Sequence, residues 1–403
     1  MTTTIASPPP PPDRAAAPAP ARLPYVDALR VLALAGVVVV HVAQVFNPAD
    51  EWHIQNPERA PWAGALAALM APWIMPLFFV VAGIATWHSL ARRSNREFLA
   101  ERARRLLLPL VVGTLLFVPP QVYLERRLHG EFGGSFLRFL PHFFDGIYPK
   151  GNLSWHQLWF LAHLFAYSVA LLPLFRYWQS PRGSSAMRRL AGFARTRTGL
   201  LALALPLILE RQLLWGLFPE RHMLAADWSN HALLLVAFAY GFALAGAPAL
   251  AASIDRYWRG LAAVGAAISS LLIAAVWVGA VPFHLPTPYA PRYLGFWTLY
   301  AIDAWAWIVA LLGAGRRWLR TESAAVRAGR RYGLAWYVLH QPILLALAYG
   351  IVQWRLDVFP KFVLLLTGTV VLTWVAGLAG ERVPGLRLVL GFDAQRGHQE
   401  RRV

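Results

Sequence analysis

The sequence predicts an all-α, polytopic integral membrane protein, and three observations carry that expectation. Of its 403 residues, 57% are hydrophobic and only 14% charged, too apolar for a soluble chain of this length. Apolar stretches of roughly 20 residues, enough to cross about 30 Å of hydrocarbon, recur from end to end. Arginine supplies nearly all the positive charge, since lysine occurs only at Lys150 and Lys361, and it gathers in alternate connections between those stretches.

Taken in order, residues 1–23 are rich in Pro and Ala and hold no apolar run. They are expected to be a disordered tail that lacks the hydrophobic region of a cleaved signal peptide. The first span, 29–46, reads LRVLALAGVVVVHVAQVF and is short, so it doubles as the insertion signal. The second, 63–87, is long enough to tilt. The third, 106–124, is entered through the basic run ERARRLLLP, and the fourth, 158–178, through the aromatic run WHQLWFLAHL. Six more follow at 199–218, 231–250, 261–281, 294–314, 333–352 and 362–380, about ten in all. Residues 24–380 therefore read as one membrane domain without an internal repeat, followed by a basic tail at 381–403.

Charge sets the orientation. With the N-terminus inside, the inner segments hold 27 Lys and Arg and the outer ones 9. By the positive-inside rule both termini are expected to be cytoplasmic. That distribution explains the net charge of +18 without nucleic acid as a partner. The absence of cysteine excludes disulfides, thiolate metal sites and cysteine nucleophiles. The chain also lacks a P-loop and an H-E-x-x-H zinc motif, and no metal site is expected.

Ionisable residues inside a membrane span are costly and are by default pathway or catalytic candidates. His41 is one. It lies eleven positions after Arg30, which places both on one helix face about 16 Å apart, with Arg30 near the cytoplasmic interface and His41 past mid-membrane. The cytoplasmic half of the second span, Met75 to Gly83, and the cluster Arg102, Arg104 and Arg105 should share the end that Arg30 occupies. Guanidinium forks suit a polyphosphate ligand, although juxtamembrane arginines also serve as topology signals. His340, in Trp336 to Pro342, lies about 11 Å from the cytoplasmic end of its span, as a cavity partner of His41 or an interhelical hydrogen-bond partner.

At the outer mouth stand Asp50, Glu51, Trp52 and His53, and from the fourth span Trp155, His156, Trp159 and His163. Aromatic faces there suit the apolar faces of a sugar, or an interfacial belt. The long outer connection, 125–157, reads as an interfacial helix or a simple link. Glu210, Arg211 and Asp303 need partners within apolar segments. A structural ion pair accounts for them, while Arg211 could instead hold an anionic part of an acceptor.

Phosphate-binding groups inside, a histidine at mid-depth and aromatics outside together suggest a group taken from a cytoplasmic phosphorylated carrier and delivered outside. Neutral imidazole would take the proton from an acceptor hydroxyl as it attacks a thioester, or would itself carry the acyl group. Either role requires it unprotonated.

These residues carry a resemblance. Arg30 and His41 with ten residues between them resemble the R-x10-H signature of the membrane acyltransferase type 3 family. Phe78-Phe79-Val80-Val81-Ala82-Gly83 resembles its FFxxSG stretch, with Ala82 in place of the family's serine. Arg102 and Arg105 ahead of Pro109 resemble its R-x-x-R-L-L-x-P entry to the third span. Within the family, Glu51-Trp52-His53-Ile54, His156-Gln157-Leu158-Trp159 and Leu339-His340-Gln341-Pro342 are similar to the branch that succinylates periplasmic glucans.

The resemblance implies transfer of a small acyl group, acetyl or succinyl, from acyl-CoA to an extracytoplasmic carbohydrate by a multi-pass protein of the cell (inner) membrane. It implies His41 as the catalytic residue and Arg30 on the donor side, where the guanidinium chemistry of the cluster also places Arg102 and Arg105. Trp52, His53, Trp159, Arg211 and His340 are the expected acceptor-side residues. No cofactor is expected to be bound permanently, acyl-CoA being a substrate. The rival class is a transporter or flippase that makes no bond.

Overall fold

A computed structural model describes residues 23–218, 223–277 and 289–392, and these form an all-helical bundle with no strand among them. The tail expected at 1–23 lies, except for Leu23, outside the described residues, as do 393–403. The end of the seventh predicted span also falls outside them.

Among the described residues, eight helices are long and apolar enough to cross a membrane: Pro24–Gln44 (α1), Pro61–Leu90 (α2), Asn95–Leu128, Trp228–Gly246, Pro248–Ala275, Pro291–Trp318, Ala324–Ile351 and Val358–Arg382. Two bent pairs raise the number to ten if each is one span. The fourth predicted span is one of these, His156–Ala170 and Leu172–Gln179 meeting at 52°. Pro173 explains the bend, since it has no N–H for the carbonyl one turn earlier and its ring crowds that carbonyl.

The fifth predicted span, 199–218, departs further from a single helix. The chain here forms Pro181–Phe193 and Arg197–Leu213, set at 117° to each other. Thr196 starts the second limb as an N-cap, its side chain accepting from the Gly199 N–H at 3.0 Å. Pro206 then opens a separate helix at Leu205–Leu213, so no 20-residue helix can run through the segment.

The third span is continuous but irregular. Between Asn95–Arg102 and Leu108–Leu116, residues Ala103–Leu107 form a π-helical turn. Pro109 cannot donate to the Arg105 carbonyl, and the wider turn absorbs that lost hydrogen bond. The consequence is local: it resets the directions of the arginines relative to the span that follows.

Helix α2 and Trp228–Gly246 cross closely. A Cβ on Gly83 would stand 2.2 Å from the Phe238 carbonyl oxygen, and one on Gly241 would stand 1.9 Å from that of Val80. Gly83 therefore serves backbone-to-backbone helix packing, of the kind small residues permit in membranes. It holds the end of α2 that Arg102 meets through Thr86. At the other end, a smaller apolar cluster of Phe46, Ile54, Leu344, Leu345 and Phe362 packs around the turn that follows α1. Lipid-facing surface is evident on the Val358–Arg382 helix, where Val363, Val371 and Val375 are exposed.

The outer connection forms a short helix, Phe136–His142, and a tight turn in which Ile147 and Leu153 make a single bridge. The basic tail begins with a short helix, Pro384–Val389, that packs on Val358–Arg382.

Candidate active site

Helix α1 carries His41 into contact with the Ala324–Ile351 helix, where Nδ1 of His41 lies 3.0 Å from Nε2 of His340. The two rings are nearly parallel, at 14°, with centroids 5.2 Å apart. The hydrogen bonds of His340 settle which nitrogen donates. Its Nδ1 lies 2.9 Å from the Tyr337 carbonyl and 3.0 Å from that of Trp336, so it carries the proton and donates to them. Nε2 of His340 is then an acceptor, and Nδ1–H of His41 donates to it. In a neutral His41 this leaves the lone pair on Nε2.

His340 is fully buried, and its helix is locally rebuilt around it. Pro342 has no N–H for the Val338 carbonyl four residues earlier. The amide of Gln157 supplies the missing donor at 2.9 Å, and the Tyr337 hydroxyl donates back to the Gln157 carbonyl. Gln157 comes from the turn at the start of the fourth span, so that turn fixes the helix on which His340 sits.

On its other side His41 meets Trp52, ring centroids 5.8 Å apart. The segment that carries Trp52 folds back over the end of α1. Asn56 N–H donates to the Val45 carbonyl at 2.8 Å and Ala60 N–H to that of Phe46 at 2.9 Å. Buried Lys361 donates to the Asn56 side chain at 2.8 Å. Trp52 leads in turn to His53, whose ring is 5.3 Å away. Nδ1 of His53 is 2.8 Å from the buried Glu125 carboxylate, to which the Tyr148 hydroxyl also donates at 3.0 Å. Burial, then the adjacent Glu125 charge, hold the Tyr148 phenol above its ordinary range and so keep it a donor.

The arginines expected on the donor side gather at the opposite end of α1. Arg30 is half-exposed and paired with Asp27 at 3.0 Å. Arg102 donates to the Thr86 hydroxyl at 2.7 Å, one turn beyond Gly83 on α2, and Thr86 donates on to the Ala82 carbonyl. Glu101 bridges Arg93 and Arg105 at 3.1 and 3.0 Å. Arg30, Arg93 and Arg105 all lie within electrostatic reach of Arg102. Four guanidiniums thus share two carboxylates, and the surplus positive charge suits an anion. The three sequence stretches expected at one end of the bundle are together there.

Other predicted residues fall elsewhere. Arg211 is buried against Glu210 at 3.4 Å and stands over the rings of Trp215, Trp297 and Tyr300. That geometry is an intramembrane ion pair in an aromatic cage. Asp303 accepts from Ser269 at 2.9 Å. Trp159 is buried with His163, whose ring neighbours Tyr167 and His231, a cluster formed by the fourth span and Trp228–Gly246. His340 touches His41 itself. Sequence reasoning missed Thr86, Glu125, Tyr148 and Gln157. Only Gln157 had a signal, since Pro342 inside a helix announces an orphaned carbonyl.

A family model described as an acyltransferase domain matches residues 23–378. Similar proteins include glucans biosynthesis protein C of Escherichia coli O6:K15:H31 (strain 536 / UPEC) and of Shigella dysenteriae serotype 1 (strain Sd197). Each is 22% identical over 341 residues, covering 81% of this chain and 84% of the relative. No solved structure matches the chain.

Proposed function

Because the chain belongs to the acyltransferase domain family and is a multi-pass, acyl-transferring membrane enzyme, we propose that it moves a small acyl group, acetyl or succinyl, from cytoplasmic acyl-CoA to a hydroxyl of an extracytoplasmic glycan. The relatives named for glucan biosynthesis support the glycan as acceptor. The cell (inner) membrane is the setting this chemistry requires.

The observation that carries the reading is the His41–His340 hydrogen bond. It orients His41 by the logic of a base held by a second group, and it leaves Nε2 as the working nitrogen. In the reaction the acceptor oxygen attacks the thioester carbonyl, the C–O bond forms and the C–S bond breaks. His41 Nε2 takes the hydroxyl proton and passes it to the departing thiolate. Arg30, Arg102 and Arg105 hold the phosphates of CoA, and the pantetheine arm spans the roughly 16 Å to His41. Trp52, against the His41 ring, offers a face for the sugar.

Mass spectrometry of envelope glycans tests this, comparing cells without the protein and cells complemented with wild type or with His41→Ala. The expected result is an acyl mass increment that requires His41 while the variant accumulates normally. An increment that survives in His41→Ala removes the histidine from the mechanism, and no increment on any glycan removes the acceptor class.

A further inference from the structure

The cluster at the outer mouth has the composition of a metal site. His53, Glu125 and His156 come from three separate stretches of chain, and one donor atom from each lies within 4.8 Å of the others. We propose that these three residues bind a zinc ion, a site distinct from the His41–His340 pair and independent of the acyl-transfer reading.

Two observations beyond proximity point to a ligand. His156 is buried, and among the described residues its Nε2 has no hydrogen-bond partner. An orphaned ring nitrogen in a buried site is costly unless something binds there. The other ring nitrogen is already held, Nδ1 lying 2.9 Å from the Ser154 hydroxyl. That is the arrangement of metal-ligating histidines, in which one nitrogen is fixed by an outer partner and the other faces the ion. His156 also adopts φ +41, a left-handed conformation unfavourable for a residue with a Cβ, and Ser154 Oγ accepts its backbone N–H at 3.0 Å to hold it there.

The carboxylate is oriented in the same way. Tyr148 donates to Oε1 of Glu125, while Oε2 faces His53 at 2.8 Å. Two imidazoles and one carboxylate form the ligand set that suits zinc, with a fourth position left for a further oxygen. Zinc bonds of about 2.0–2.2 Å put tetrahedral donor atoms about 3.3–3.5 Å apart, so closure needs side-chain shifts of roughly 1 Å. His53 then binds through Nδ1 as the tautomer protonated at Nε2. The ion would clamp the Trp52–His53 segment to the outer end of the third span and to the turn before the fourth. Trp52 would thereby be fixed against His41.

The test uses the full chain purified in detergent and stripped with a chelator. Zinc is titrated against a chromogenic indicator, and bound metal is counted by elemental analysis. Wild type should bind one zinc per chain, and His156→Ala and Glu125→Gln should each bind it at least about 100-fold more weakly. Should the buried His156→Ala fail to accumulate, His53→Ala, on the more open segment, should show the same loss. Wild type that binds no zinc above background, or variants that bind as tightly as wild type, would overturn the proposal. The metal count needs no acyl donor or acceptor, so its failure is separate from failure of the acyltransferase chemistry.

Discussion

His41 and His340 lie 299 positions apart in the chain, yet Nδ1 of one and Nε2 of the other are 3.0 Å apart. The proton order is set from the far side, by the Trp336 and Tyr337 carbonyls that occupy His340 Nδ1. His340 is therefore a positioning residue, and its variants should separate from those of His41. His41→Ala should lower kcat by about 10²–10⁴-fold, the range of a general base. His340→Ala should lower it less, with KM for acyl-CoA unchanged. His340→Gln should recover part of the loss, since an amide oxygen can accept from His41 Nδ1. Equal defects in both His340 variants would mean that His340 serves packing alone.

The donor-side prediction concerns Thr86. It is the partner of the Arg102 guanidinium, and Thr86→Val keeps the shape while removing the hydroxyl. A hydrogen bond to a charged group is worth about 1.5–3 kcal/mol, so KM for acyl-CoA should rise by roughly ten- to hundredfold with kcat little changed. Arg30→Ala should act in the same direction, and its defect should shrink as salt is added, because screening weakens in the wild type the contact that the variant has already lost. A rise in KM for the glycan instead would move these residues away from the donor.

Gly83 makes a prediction about folding rather than chemistry. A methyl group there would meet the Phe238 carbonyl at 2.2 Å, a backbone contact that no side-chain rotation relieves. Gly83→Ala should cost about 1–3 kcal/mol, the usual range for overpacking, read as a lower melting midpoint in detergent. An unchanged midpoint would show that the two helices can part without cost.

How much of this was legible in the sequence follows from the range of each signal. Hydropathy reports a span from its own residues, so eight of the ten expected spans were readable as single helices, and the count reaches ten only if each bent pair is one span. It says nothing of Thr196 turning the chain just before the fifth span or of Pro206 opening a new helix within it, because a broken helix and a straight one are equally apolar. Arg30 and His41 share one helix and were placed by periodicity alone. The contacts that define the site cross the bundle: His340 to His41, Thr86 to Arg102, and His53 to Glu125. No local pattern encodes which helix faces which. Arg211 illustrates the converse, since an isolated charge in a span looks the same in sequence whether it awaits a ligand or pairs with Glu210 beside it.

Orientation in the bilayer is the last prediction, and the composition of the chain makes it simple to measure. With no native cysteine, a single introduced thiol reports one position without background. Arg96, exposed just after the N-cap of the Asn95–Arg102 helix, belongs to the basic end and should be cytoplasmic. Lys150, exposed in the connection that holds Tyr148, should be outside. In intact cells an impermeant maleimide should label Lys150→Cys and spare Arg96→Cys, and permeabilisation should make both react. The reverse pattern would turn the bundle over and put the arginine cluster on the side away from CoA. That outcome would remove the donor assignment even if His41 proved essential, because the phosphates and the guanidiniums must share a compartment.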